Sequence, residues 1–100
     1  MIPIRITVQG CDVSQTLRDR AQAQAVRWPR FDPAVMDATL VFRQEGRGYT
    51  VEAVVARRRR QVAVAQGQGS DFRSALDRLD QHMSRILRRD RTRRKDFRSS

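Results

Sequence analysis

The chain has 100 residues, 39% of them hydrophobic and 32% charged, and a formal net charge of +10 at pH 7. This length suffices for one domain with its own hydrophobic core, and the positive excess indicates a nucleic acid, an anionic membrane surface or an acidic protein as partner. A single cysteine, Cys11, excludes an internal disulfide and a cysteine-cluster metal site. Because no signal peptide is recognisable and no segment approaches a membrane span of about 18 apolar residues, we expect a soluble, cytoplasmic protein.

The first two predicted elements are a strand and a helix. In residues 2–9, isoleucine and valine alternate with other side chains, as in a strand with one buried face. Ser14 then stands where it can cap a helix. The apolar stripe of that helix consists of Leu17, Ala21, Ala25 and Trp28. Because Pro29 lacks a backbone N–H, the helix is predicted to end near Trp28.

An antiparallel hairpin is predicted next. Residues 37–43 and 49–56 alternate between inward apolar and outward side chains, which is typical of strands. The five residues between them include Gly46 and Gly48, so the connection is short enough for the two strands to pair. The inward side chains are predicted to be Ala38, Leu40, Phe42, Val51, Ala53 and Val55.

A fourth strand follows a run of four arginines. Residues 57–60 are predicted to form the loop of a second hairpin. In residues 61–66, Val62 and Val64 are predicted to point into the core. The Gly-Gln-Gly sequence at 67–69 is predicted to separate this strand from the last helix.

The last helix is the strongest periodic segment and runs from Ser70 to about Arg91. Ser70 is predicted to be its N-cap, and Asp71 places an acid in the first turn. Its buried face, with spacings of three and four residues, comprises Phe72, Ala75, Leu76, Leu79, Met83, Ile86 and Leu87. Residues 92–100 carry one apolar side chain and much charge, so a disordered basic tail is predicted beyond a domain of residues 1–91.

These elements predict an α+β sandwich in the order β-α-β-β-β-α, with two helices packed on one face of a four-stranded sheet. The opposite face of the sheet is predicted to be mixed in character, and a solvated face is favoured over a weak partner surface. Its side chains are expected to be Thr7, Thr39, Val41, Glu52, Val54 and Ala63.

A second row on the last helix is basic and comprises Arg78, His82, Arg85 and Arg89. The helix dipole accounts for one or two arginines near the end of a helix, but residues 85–91 contain four. Residues 51–100 hold 14 Lys and Arg against 6 Asp and Glu, which is +8 of the net charge. Phosphate contact is therefore predicted, with a solvated helix face and an arginine-rich genome as the simpler explanations. Six aromatic residues, most at core positions, favour contacts to backbone and shape over base stacking.

The pattern does not indicate an enzyme. His82 has no second histidine and no cysteine cluster with which to form a catalytic or metal site. Asp77 and Asp80 lie on a helix among arginines, where ion pairing explains them better than acid–base catalysis. No glycine-rich phosphate loop is present. We therefore expect no catalytic residue, metal, cofactor or small-molecule substrate.

Several segments match the pattern of one protein family in order and near its spacing. In the first part of the chain they are Ile6-Thr7, Asp12-Val13-Ser14-Gln15-Thr16-Leu17-Arg18 and Val51-Glu52-Ala53. In the last helix they are Asp71-Phe72, Ala75-Leu76-Asp77, Leu79, Met83 and Arg85-Ile86-Leu87-Arg88. Over about residues 4–91 the chain resembles the short form of the bacterial ribosome hibernation promoting factors, relatives of the ribosome-associated inhibitor protein in the sigma-54 modulation protein family.

The resemblance implies the same β-α-β-β-β-α fold and binding to ribosomal RNA in the decoding region of the small subunit, so that idle ribosomes are silenced and protected. It also implies a short form without a second, dimerising domain, and a monomer is expected rather than a homodimer. Three residues depart from the family pattern. Val8-Gln9 replaces a usual Gly-Arg pair, and His82 replaces a common lysine, which weakens the implied contacts there.

The RNA-binding residues are predicted in the second hairpin loop and on the last helix. They are Arg57, Arg58, Arg59, Arg60, Arg78, His82, Arg85, Arg88 and Arg89, with Arg18, Arg27 and Arg91 as further candidates. The expected partners are the small ribosomal subunit, its rRNA and the whole ribosome. Two other functions stay open at this point: a basic module that docks on an acidic protein, and a general binder of structured RNA.

Overall fold

The computed structural model describes the backbone of residues 1–99 and the side chains of residues 1–94. Within this range the elements are β1 (Ile4–Gln9), α1 (Gln15–Phe31), β2 (Val35–Glu45), β3 (Gly48–Arg57), β4 (Gln61–Gly69) and α2 (Phe72–Ser99). Their order, β-α-β-β-β-α, confirms the predicted α+β fold class.

The strands form one sheet in the order β1-β2-β3-β4. β1 pairs in parallel with β2, since α1 carries the chain across the sheet between them, and β2, β3 and β4 pair antiparallel. The predicted first hairpin is confirmed. Its turn contains Gly46, whose φ of 59° is accessible to glycine without steric cost. β1 and β4 are the edge strands of the sheet.

Both helices pack on the same face of the sheet and share one core with it, as predicted. The largest side chains in that core, each essentially inaccessible to solvent, are Trp28, Leu40, Phe42, Val51, Val55, Leu76, Leu79, Met83 and Leu87. Burying a side chain of this kind contributes roughly 1.5–3 kcal/mol. At the start of α2, the Phe72 ring contacts Phe42 and Tyr49 edge-on, with centroids 5.4 and 4.8 Å away, and so anchors this end of the helix.

The inward face of β4 is the reverse of the prediction. Ala63 and Ala65 are buried, whereas Val62 and Val64 are 54% and 56% exposed on the outer face of the sheet. The cause is the close approach of α2, because a Cβ on Gly67 would lie within 2.1 Å of the helix backbone. Since strand side chains alternate, small residues under the helix place both valines outside.

The connection between β4 and α2 also differs from the prediction. The Gly-Gln-Gly sequence belongs to β4, which continues to Gly69. The N-cap of α2 is Asp71 rather than Ser70, because the Asp71 Oδ1 accepts a hydrogen bond from the Ser74 N–H at 2.7 Å. This bond lowers the pKa of Asp71, since it favours the charged carboxylate.

α1 begins as predicted but ends about one turn later. The Ser14 hydroxyl accepts a hydrogen bond from a first-turn N–H at 3.2 Å. The helix then continues through Pro29 to Phe31, and the Asp32 N–H donates to the Trp28 carbonyl. A proline this close to the end removes one intrahelical hydrogen bond, which the remaining contacts of the last turn offset. The predicted end near Trp28 is therefore wrong.

α2 is longer than predicted. Its helical backbone continues to Ser99, so a disordered tail from residue 92 differs from the structure, and Ser100 lies outside the described residues. Arg94 explains part of the extension, because its guanidinium pairs with the buried carboxylate of Asp32. The prediction depended on apolar contacts, whereas this turn is held against the domain by an ion pair.

Candidate nucleic-acid interface

The basic row predicted on α2 divides between two surfaces. Arg78 and His82 face the edge strand β4, where the Arg78 Nη1 donates to the Gln68 carbonyl at 2.6 Å and the His82 Nδ1 lies 2.8 Å from the Gln66 carbonyl. Because a carbonyl oxygen only accepts, Nδ1 carries the proton in this contact. These side chains cover backbone groups that would otherwise be open to pairing with another strand.

Two acidic residues of α2, Asp77 and Asp80, point toward α1. The Asp77 carboxylate accepts hydrogen bonds from Arg20, with N···O distances of 3.0 Å, and from Gln24 at 2.9 Å. The Asp80 carboxylate accepts one from Arg27 at 3.0 Å and one from the Trp28 indole N–H at 2.8 Å. The ion-pairing role predicted for both aspartates is confirmed.

A groove of about 470 Å³ runs between the two helices, and we call it the interhelical groove. Its lining residues are Arg27, Phe31, Asp80, Gln81, Ser84, Arg85 and Arg88. The Arg88 guanidinium lies over the Phe31 ring, 4.3 Å from its centroid, in a cation–π contact. Because Arg27 and Trp28 already engage the Asp80 carboxylate, the electrostatic character of the groove is positive.

Arg57 differs from the three arginines that follow it. Its side chain is 6% exposed, and Nη1 contacts Asp90 at 2.9 Å and Asp32 at 3.4 Å. Arg57 therefore does not belong to the candidate RNA interface, because its guanidinium is buried and already paired with two carboxylates. The signal was present in the sequence, because Arg57 continues the inward alternation of Val51, Ala53 and Val55.

The exposed loop between β3 and β4 consists of Arg58, Arg59 and Arg60. Arg59 and Arg60 both have positive φ values, 64° and 60°, in the left-handed region that glycine and asparagine occupy most readily. Each such residue costs of order 1 kcal/mol or more, and strain of this kind clusters at functional sites. A tight hairpin connection requires this backbone conformation, and arginines occupy both positions in place of the glycine or asparagine usual there.

Beside this loop lies a second depression, of about 450 Å³, which we call the arginine basin. It is lined by Asp32, Pro33, Ala34, Arg58, Arg59, Gln61, Arg91 and Arg94. The Arg58 Nη2 donates to the Pro33 carbonyl at 3.2 Å, which orients that guanidinium along the wall. Sequence reasoning missed Arg94, because the turn that carries it was assigned to the tail.

The Asp32 carboxylate does not oppose the positive charge of the basin. Burial raises its pKa, but hydrogen bonds from Arg94, the Ala34 N–H and Arg57, together with the charge of Arg94, outweigh burial, so the net pKa is lowered. The carboxylate is thus ionised at neutral pH and fully engaged. The unpaired charge of the basin belongs to its exposed arginines.

The groove and the basin are neighbours. Phe31 in the groove and Asp32 in the basin are consecutive, and Arg88 and Arg91 lie one turn apart on α2. Together with the hairpin loop they form one basic surface, which comprises Arg27, Arg58, Arg59, Arg60, Arg85, Arg88 and Arg91.

Comparison with known proteins identifies the family of this chain. The model of the family described as Sigma 54 modulation protein / S30EA ribosomal protein matches residues 4–95. The chain belongs to this family. The family description names a ribosomal protein, which agrees with the resemblance inferred from the sequence. A search of curated proteins finds no match.

Two solved structures share the S30EA fold of this chain. The N-terminal domain of Protein Y from Thermus thermophilus superposes with a TM-score of 0.79 at 18% identity, covering 91% of this chain and all of that one. A ribosomal subunit interface protein from Coxiella burnetii superposes with a TM-score of 0.73 at 20% identity, covering 95% of this chain and 99% of that one.

The remaining predicted residues have different surroundings in this S30EA-family chain. Arg18 is half-buried on α1, and Arg91 is exposed in the basin. Arg89 is exposed, with its Nε 3.4 Å from the Asp90 carboxylate.

Within the described residues, no three His, Cys, Asp or Glu side chains are placed to hold a metal ion. None of the helices described over residues 1–99 is long and apolar enough to cross a membrane.

Proposed function

We propose that this protein binds the small ribosomal subunit in its decoding region and inactivates idle ribosomes by occupying the place of messenger and transfer RNA. The observation that carries the proposal is the continuous basic surface on the groove, the basin and the hairpin loop. Its carboxylates are already paired with arginines, so the exposed guanidinium groups are available to phosphates. Membership in the S30EA family supports the ribosome as partner.

The arginines of this surface are suited to the phosphates of an RNA backbone. Arginine offers a planar fork of donors that matches phosphate oxygens in pairs. Arg58 is oriented by the Pro33 carbonyl and Arg88 by the Phe31 ring, so part of the ordering entropy of these side chains is lost before binding. The protein acts by steric occlusion, as a monomer in the cytoplasm, and no bond is made or broken.

The first experiment is sedimentation of the protein with separated small subunits, large subunits and whole ribosomes. We expect saturation near one copy per small subunit, resistant to competitor duplex RNA. Affinity should fall with salt, and each phosphate-contacting arginine that is removed should reduce the slope of log K against log salt by about one. Equal binding to both subunits, or complete loss with competitor, would contradict the proposal.

A charge-matched pair of variants isolates the surface. Arg85→Glu with Arg91→Glu reverses two charges on the basic surface, while Arg5→Glu with Arg47→Glu reverses two exposed charges on β1 and in the β2–β3 turn. The net charge of both variants is the same. We expect the first to lose small-subunit binding and the second to retain it within a few-fold. Equal losses would mean that net charge alone governs binding.

A further inference from the structure

The interhelical groove contains more than positive charge. On one side the Phe31 ring is half-buried, and the Arg88 guanidinium carbon lies 4.3 Å from its centroid in a cation–π contact. Arg88 is itself exposed and lines the groove. A guanidinium plane backed by an aromatic ring is a platform on which an unstacked nucleobase can lie.

Hydrogen-bonding groups surround this platform. Arg27 is fixed at one wall by its 3.0 Å pair with Asp80. Gln81, Ser84 and Arg85 make no side-chain hydrogen bond to any of residues 1–94, although all three line the groove. An amide, a hydroxyl and a guanidinium are the groups that read the polar edge of a base and hold a phosphate.

We propose that the interhelical groove takes one unpaired nucleotide, whose base stacks on Arg88 and whose phosphate is held by Arg27 and Arg85. This deepens, and rests on, the proposed binding to ribosomal RNA, because it names a single-stranded element as the part of the RNA that is recognised. The volume of about 470 Å³ lies within the roughly 300–1,000 Å³ typical of small-ligand sites, which is sufficient for one nucleotide.

An RNA duplex suits the groove less well. In a duplex the bases stay stacked within the helix, so a duplex presents phosphates and hydroxyls but no free base plane. The hairpin loop and the arginine basin can serve such a backbone, whereas the Phe31–Arg88 platform would contribute nothing. An acidic peptide would use the charge of Arg85 and likewise leave the platform idle.

The test uses a short single-stranded RNA with 2-aminopurine at its centre, whose emission reports base stacking. Wild-type protein should change the emission at saturation. Arg88→Lys keeps the charge and loses the plane, so it should remove the emission change and weaken binding roughly fivefold or more. Arg47→Lys is the matched control on an exposed arginine in the β2–β3 turn, away from the groove, and should behave as wild type.

A second substrate keeps the test independent of the variant. The same RNA with an abasic residue at the centre should bind wild type roughly as weakly as the intact RNA binds Arg88→Lys, with no further loss when the two changes are combined. Phe31→Leu should resemble Arg88→Lys, and thermal unfolding will show whether that variant is folded.

Equal affinity of wild type for intact and abasic RNA would overturn the nucleotide proposal, as would an unchanged emission response in Arg88→Lys. Preferential binding of duplex RNA or of a polyglutamate peptide would also overturn it. These outcomes are separable from the ribosomal proposal. Small-subunit binding with no effect of Arg88→Lys would contradict only the nucleotide site, whereas a stacked base without small-subunit binding would contradict only the ribosomal role.

Discussion

The backbone of Gly67 in β4 lies so close to that of Ala75 in α2 that a Cβ on Gly67 would be 2.1 Å from the Ala75 carbonyl oxygen. The same Cβ would be 2.5 Å from the Leu79 nitrogen. Because both contacts are to helix backbone, no side-chain rotation can relieve them. This approach sets α2 on the sheet and therefore positions Arg85, Arg88 and Arg91.

Gly67→Ala should consequently destabilise the fold by about 3 kcal/mol or more, since overpacking that displaces backbone exceeds the usual cost of a buried methyl. Urea unfolding monitored by Trp28 fluorescence measures the change. Gly48→Ala is the control, because a Cβ there meets only the Glu45 oxygen at 3.5 Å, an ordinary contact. Equal stabilities of the two variants would show that the packing of α2 does not depend on the close contact between its backbone and Gly67.

Truncation of Arg57 should lower the stability of the fold, whereas truncation of its neighbour Arg58 should weaken binding to the small subunit. Arg57→Ala leaves the buried Asp32 carboxylate with one ion-pair partner fewer and should cost about 3 kcal/mol of unfolding free energy. Arg58→Ala should change stability by less than about 0.5 kcal/mol and weaken small-subunit binding. Denaturant unfolding and sedimentation, run on both variants, check the pair. A binding defect in folded Arg57→Ala larger than that of Arg58→Ala would contradict this division.

The lowered pKa of Asp32 predicts a specific acid response. A carboxyl whose pKa is lower in the folded than in the unfolded protein adds stability above its unfolded pKa, near 3.9, and that contribution is lost as pH falls through the folded value. Arg57, Arg94 and Asp90 are the charged groups around it. Asp32→Asn should therefore be less stable than wild type at pH 7, and the difference should narrow below about pH 4.

Unfolding free energies of wild type and Asp32→Asn, measured at several pH values, provide this comparison. The exposed Asp12→Asn is a suitable control and should follow wild type at every pH. A constant difference between wild type and Asp32→Asn across the acid range would mean that the ionisation of Asp32 does not stabilise the fold.

Arg78 and His82 should behave as parts of the fold. Removing both by substitution with alanine exposes the Gln66 and Gln68 carbonyls at the β4 edge and should cost about 0.5–1.5 kcal/mol for each hydrogen bond. Small-subunit affinity should change less than it does in Arg85→Ala with Arg91→Ala. The opposite ranking of affinities would return these residues to the RNA surface.

The element order and most of the core were predictable, because the alternation in residues 37–43 and 49–56 and the spacing of three and four residues in α2 are strong signals. The register of β4 was not, since Val62-Ala63-Val64-Ala65 is apolar at every position. Hydrophobicity favours the valines as core residues, whereas the space left by α2 admits only the alanines. The series of small residues Ala63, Ala65 and Gly67 was the available clue.

The site was predictable in composition but not in arrangement. A helical wheel places Arg78, His82 and Arg85 in one row, but their partners come from β4 and α1, which periodicity within one helix does not reveal. Because Pro29 predicts a helix end near Trp28, the sequence leaves Phe31 outside α1. The structure continues the helix and places Phe31 four residues after Arg27, on the same side of α1.

The most direct test of the central claim is chemical footprinting of small-subunit rRNA in the presence of the protein. We expect protection confined to the decoding region with wild type and with Arg5→Glu/Arg47→Glu, and loss of that protection with Arg85→Glu/Arg91→Glu. Protection at another site, or protection that persists with Arg85→Glu/Arg91→Glu, would contradict binding through the basic surface.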